Sequence, residues 1–174
     1  IDRLAYQYFC LSLDEIALID DTVEAILPAL QPHEGHFPKL WSAPDEPQRA
    51  QYAHTLSASL ADWFKGKKID ARLVARGADL AILRLHLGGH EDYAEDASGE
   101  LSEVLEQLAA HIHRPLDGNF QLMPDLRVFV GDCLYLIKPM QMRFWLRSTA
   151  LADADGIALD LQQATAAPQQ RGAD

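Results

Sequence analysis

The alternation of apolar and polar positions divides this chain into helical and extended stretches. Residues 2 to 9 carry Leu4, Tyr6, Tyr8 and Phe9 and predict a short helix. Ser12-Leu13-Asp14-Glu15 then spells a Ser-x-x-Glu capping box, in which side chains satisfy the orphan N–H groups of a helix start. Ile16, Ile19, Val23, Ile26 and Leu27 follow at helical spacing, with Asp14, Asp20, Asp21 and Glu24 between them. That pattern predicts a buried apolar stripe and a solvated acidic one. Pro28 disfavours continuation beyond the stripe.

Residues 31–47 hold Pro32, Pro38, Pro44 and Pro47 and read as an extended surface connection. Connections of this length are usually functional or mobile, so Phe37 and Trp41 are docking candidates, or else pins that hold the loop to the core. A second helix is expected from Glu46 to Lys65, burying Tyr52, Leu56, Leu60, Trp63 and Phe64, with Gly66 as its stop. Ile69–Arg76 and the alternation of Leu83, Leu85 and Leu87 predict an antiparallel strand pair turning at 76–79. After an acidic loop at 91–96, a third helix is expected over 98–113, burying Leu101, Val104, Leu105, Leu108 and Ile112.

The clearest β signal is Leu126–Val130, Gly131-Asp132, Cys133–Ile137. A two-residue Gly-X turn would pair Val130 with Cys133 and Val128 with Tyr135, with Gly131 at positive φ. The opposite face carries Phe129, Leu134 and Leu136, so the hairpin is apolar on both sides and calls for helical cover. A last helix is expected from Met140 to Ala164, burying Met142, Leu146, Ala150, Ile157 and Leu161. These elements define an α+β class, an antiparallel sheet of two hairpins flanked by about four helices. Residues 1–165 form one module and 166–174 a flexible tail.

Composition narrows the function classes. With 174 residues, 48% of them hydrophobic, one core is the default. The chain opens at Ile1, without an initiator Met, and reads as a fragment of a longer protein. A net charge of −11 opposes broad binding to nucleic acid or anionic membrane. No apolar run approaches the ~20 residues that span a bilayer, and no export signal is visible, so a cytoplasmic protein without membrane partners is expected. Cys10 and Cys133 form no CxxC pair.

Few residues carry chemistry. His33 and His36, His86 and His90, and His111 and His113 lie close in sequence, but none forms a His-Glu-x-x-His helix, so no metal is expected. There is no Gly-x-Ser-x-Gly elbow, no Gly-x-Gly-x-x-Gly and no Gly-x-x-x-x-Gly-Lys-Ser/Thr loop. No catalytic residue is assigned, and no cofactor is expected in this segment. The acidic pairs Asp20/Asp21 and Asp153/Asp155 read as solvated helix charges. The densest basic chemistry is Lys138, Arg143 and Arg147, the arginines four apart at the start of the last expected helix. A helix N-terminus with two guanidinium forks can hold a phosphate, and thus contact DNA; alternatively these side chains pair with the chain's surplus carboxylates.

Two runs resemble a known family. Ile1-Asp-Arg-Leu-Ala-Tyr-Gln-Tyr-Phe with Leu-Ser-Leu-Asp-Glu-Ile-Ala-Leu-Ile-Asp-Asp-Thr-Val resembles the segment after the catalytic domain in bacterial adenine-N6 DNA methylases of restriction-modification and phage-defence systems. The run Leu134-Tyr-Leu-Ile-Lys-Pro-Met-Gln-Met-Arg-Phe-Trp-Leu-Arg-Ser-Thr-Ala-Leu-Ala-Asp-Ala-Asp-Gly-Ile-Ala is similar to the ending of proteins from the same systems. The family's Asn-Pro-Pro-Tyr or Asp-Pro-Pro-Tyr signature and its Gly-rich loop for S-adenosylmethionine are absent here. The resemblance therefore implies a non-catalytic C-terminal accessory module that assists DNA positioning or subunit docking. Its implied partners are DNA, the rest of the parent protein or another subunit. A protein–protein docking domain unrelated to nucleic acid is the alternative.

Overall fold

Six consecutive residues, Cys133–Lys138, are buried, and the strand that contains them is the centre of the fold. The computed structural model describes residues 2–31, 39–65, 68–77, 80–87 and 126–166. Strands β1 (Asp70–Arg76), β2 (Leu80–His86), β3 (Leu126–Val130) and β4 (Cys133–Pro139) form one antiparallel sheet in the order β1-β2-β4-β3. The two expected hairpins are thus joined through β2 and β4. Val128 pairs with Tyr135 and Val130 with Cys133, as the Gly-X turn requires, and Gly131 takes φ +56°. The β1–β2 register shifts between Leu73 and Ala75, a bulge on the outer strand.

Around the sheet run α1 (Asp2–Tyr8), α2 (Leu13–Asp21), a π-helical turn (Thr22–Ile26), α3 (Leu27–Leu30), a 3₁₀ turn (Lys39–Trp41), α4 (Glu46–Trp63), a second 3₁₀ turn (Met142–Phe144) and α5 (Arg147–Ala166). Side chains of α4 (Tyr52, Leu56, Leu60) and α5 (Ala150, Ala154, Ile157) pack with Leu83, Leu85, Leu134 and Leu136 on one sheet face. Burying each such leucine stabilises the fold by roughly 1.5–3 kcal/mol. Ile82, Cys133, Tyr135 and Ile137 form a second buried cluster on the other face.

Several expectations are corrected. The helix at 13 does not stop at Pro28 but continues to Leu30 through the π turn. Proline lacks an N–H and its ring crowds the carbonyl four residues back, and the wider turn just before it relieves both constraints. The last helix opens at Arg147 rather than Met140. Gln141 is extended and the Met142 N–H donates to the Ser42 carbonyl at 2.8 Å, tying this stretch to the 39–42 turn instead of to a helix ladder. Trp145 follows it into the core, stacking edge-on to Tyr52 and donating its indole N–H to the Pro139 carbonyl. Trp63, expected inside, is half-exposed and donates to Asp155 at 3.2 Å, and Lys65, not a glycine, takes the left-handed position after α4. Phe37, Gly66, the expected helix at 98–113 and the tail after 166 lie outside the described residues.

Candidate functional site

The three basic residues singled out in the sequence go to three different places. Lys138 is 1% exposed. It points from β4 between α4 and α5, where its ammonium donates to the Asp153 carboxylate and, at 2.9 Å, to the Tyr52 hydroxyl. Tyr52 donates to the same Asp153 oxygen, and the Lys138 charge lies 4.5 Å from the Tyr52 ring centre. Asp153, expected to be a solvated helix charge, is therefore the buried counterion of a lysine. A buried ammonium needs such a partner, because leaving water costs several kcal/mol that only close pairing offsets.

Arg143 lies in the second 3₁₀ turn, not on the helix. Its guanidinium stacks 4.2 Å from the ring centre of Trp41 and 4.6 Å from that of Phe144. Trp41, the described one of the two docking candidates, is half-exposed, so its ring both meets solvent and holds Arg143. Arg147 opens α5 and pairs with Asp20 at 2.9 Å and Asp21 at 3.7 Å. The three cations thus do not converge, and two of them face carboxylates.

The pairing of Arg147 reverses the expected orientation of the first long helix. α5 has no acidic residue in its first turn, and α2 supplies one: Asp21 accepts from the Ser148 N–H at 2.6 Å. This places a negative charge at the positive end of the α5 dipole. Asp20 accepts from the Tyr6 hydroxyl at 2.6 Å and from Arg147. The Tyr6 hydrogen bond, and after it Arg147, hold the Asp20 carboxyl below the usual aspartate range. Hydrogen bonds to charged groups contribute about 1.5–3 kcal/mol each, and here they decide which side of the helix meets the body. Ala17 and Asp21 are its buried residues, with Ile16 and Asp20 partly covered.

The consequence lies on the other side. Ile19, Val23 and Leu27, expected in the core, are 37%, 57% and 48% exposed, and Leu30 beyond them is more so. Residues four apart drift by about 40° per step around an α-helix, and the wider π turn between Thr22 and Ile26 takes up part of that drift. The four side chains therefore form an outward stripe along one helical segment. In front of it, Tyr8 and Phe9 sit edge to face at 5.1 Å, both exposed. The sequence carried this stripe as a helical period but not its direction. The signal that fixes the direction is a distant one, an α5 start that carries Arg147 and lacks an acid of its own.

Among the described residues no group of three or more His, Cys, Asp or Glu is gathered as a metal site, and no helix is long and apolar enough to cross a membrane. His33, His36, His90, His111 and His113 lie outside the described residues. Comparison with protein-family models, with curated proteins and with solved structures finds no match to this chain.

Proposed function

We propose that this chain is a protein-docking module whose contact surface is the outward stripe of residues 13–30. One observation carries the reading: a helix of the folded chain turns Asp20 and Asp21 to the body and Ile19, Val23, Leu27 and Leu30 to water. Scattered exposed leucines are ordinary on any protein, but an ordered row at helical spacing is the form in which helices present anchors to a partner's groove. Docking of a subunit is also one of the two roles that the resemblance to DNA-modification and phage-defence proteins implies. The other role, DNA positioning through Lys138, Arg143 and Arg147, gains less support, since the Lys138 ammonium is enclosed and Arg147 faces Asp20 and Asp21.

A photo-cross-linking amino acid placed at Val23, with Ala58 on the exposed side of α4 as control, tests the proposal in cells that make the full natural protein. The expected result is a discrete higher-mass adduct to another polypeptide from position 23 and none from position 58. Equal or absent adduct formation at both positions would rule out docking through this stripe.

A further inference from the structure

The chemistry around the stripe specifies the surface that would receive it. Residues 1–31 contain six carboxylates, at Asp2, Asp14, Glu15, Asp20, Asp21 and Glu24, and a single cation, Arg3. Asp20 and Asp21 are engaged by Arg147 and by the start of α5. Asp14, Glu15 and Glu24 are exposed on the same helical segment as Ile19, Val23 and Leu27, Glu15 while also accepting from Ser12 in the capping box. An apolar row flanked by uncompensated carboxylates, on a chain of net charge −11, repels a second copy of itself and any anionic surface. It attracts a surface of the opposite sign, and a single protruding row of side chains fits a groove better than a plane.

We infer that the partner is a protein presenting an apolar groove rimmed by Lys or Arg, into which the Ile19–Leu30 row seats while Asp14, Glu15 and Glu24 meet the basic rim. This inference rests on the docking reading above and adds the partner's charge to it. Aliphatic burial supplies the affinity, and the carboxylates supply the encounter rate and the choice of partner. The basic rim also excludes acidic competitors, because like charges brought together at an interface cost affinity.

The probe for this inference is a pair of designed helical hairpins with the same leucine-lined groove, one rimmed by lysines and one by glutamates. Each is titrated by fluorescence anisotropy against the full chain. The lysine-rimmed hairpin is expected to bind about tenfold or more tightly than the other, with the gap closing as salt rises from about 0.05 to about 0.5 M. Val23→Asp with Leu27→Asp, both at exposed positions, should weaken that binding at least about tenfold with the far-ultraviolet circular dichroism unchanged. Asp14→Lys with Glu24→Lys should invert the preference between hairpins. Equal affinity for the two rims, with loss on Val23→Asp/Leu27→Asp, would overturn the basic rim while leaving the docking reading intact. No binding of either hairpin would count against both. A dimer in sedimentation, or binding to phosphatidylcholine vesicles, that disappears in the Val23→Asp/Leu27→Asp chain would replace the basic groove by a second copy or a lipid surface.

Discussion

Cys10 shows how a single side chain records a compromise. It follows α1 with φ +53°, and the Leu11 N–H reaches the Tyr6 carbonyl while the Cys10 N–H reaches that of Gln7. This is the Schellman arrangement, whose left-handed position is normally glycine because a Cβ strains it. Cys10→Gly is therefore expected to stabilise the folded chain by up to about 1 kcal/mol, the relieved strain being partly offset by the greater freedom of glycine in the unfolded chain. An unchanged or lower urea midpoint would count against this geometry. Gly131 is the opposite case, where sequence and backbone agree: the Gly-Asp dipeptide between β-rich runs announced both the turn and its sign of φ. Gly156, by contrast, gave no hint of its use. It lies within α5, and a Cβ there would come 2.8 Å from the Arg127 guanidinium, which crosses it to reach Asp160 at 2.6 Å. Contacts of that kind join residues far apart in sequence, and no local pattern announces them.

At the scale of elements, the helical periods of residues 13–30, α4 and α5 were legible, and the orientation of the first of these was not. Helices α4 and α5 bury Tyr52, Leu56, Leu60, Ala150 and Ile157 as expected, Trp63 excepted, because they meet a sheet whose face is also apolar. The arm of residues 2–31 meets instead the start of α5, where a helix N-terminus without an acid of its own and Arg147 attract carboxylates, and it docks through Asp20 and Asp21 with Ala17 buried beside them. This attachment depends on pH in a definite direction. The Asp20 carboxyl is depressed in the folded state by Tyr6 and Arg147. Its contribution is complete above the unfolded aspartate value near 3.9 and disappears as pH falls through the lower folded value. The protection of the amides of residues 13–21 against hydrogen exchange, taken relative to the intrinsic rate at each pH, should accordingly fall in acid before that of β4 does, and Asp20→Asn should show the lower protection already at neutral pH. Protection that stays level in the variant would show that the arm is held by other contacts. The capping box at Ser12 illustrates what sequence does reveal well, since its donors and acceptors lie within four residues.

For the whole molecule, the class and strand pairing followed from alternation alone, whereas the joining of the hairpins through β2 and β4 did not, because nothing local specifies which outer strand becomes central. The enclosed Lys138, Tyr52 and Asp153 show the same limit. Of the two readings of Lys138, a phosphate contact or a carboxylate pair, the pair with Asp153 is present, and it ties the central strand to both helices. Asp153→Ala is expected to destabilise the chain by about 3–5 kcal/mol, since it strands a buried ammonium. The triple replacement Lys138→Met, Asp153→Leu, Tyr52→Phe should recover most of that loss. Equilibrium urea unfolding of the two variants measures the difference, and a mild Asp153→Ala would mean that water reaches the cluster.

The outward stripe also has a thermal meaning. Its aliphatic side chains are hydrated while the rest of the chain is folded, so they add little to the heat-capacity change when the arm leaves the body, a step that exposes Ala17 and the partly covered Ile16 and Ile26 along with charged and hydroxyl groups. Covering the same side chains removes apolar surface from water and lowers the heat capacity of the system. Detachment of the arm and engagement of its outer side are thus separate calorimetric events on one helix. The first leaves the stripe's own contribution unchanged, and the second is marked by a fall.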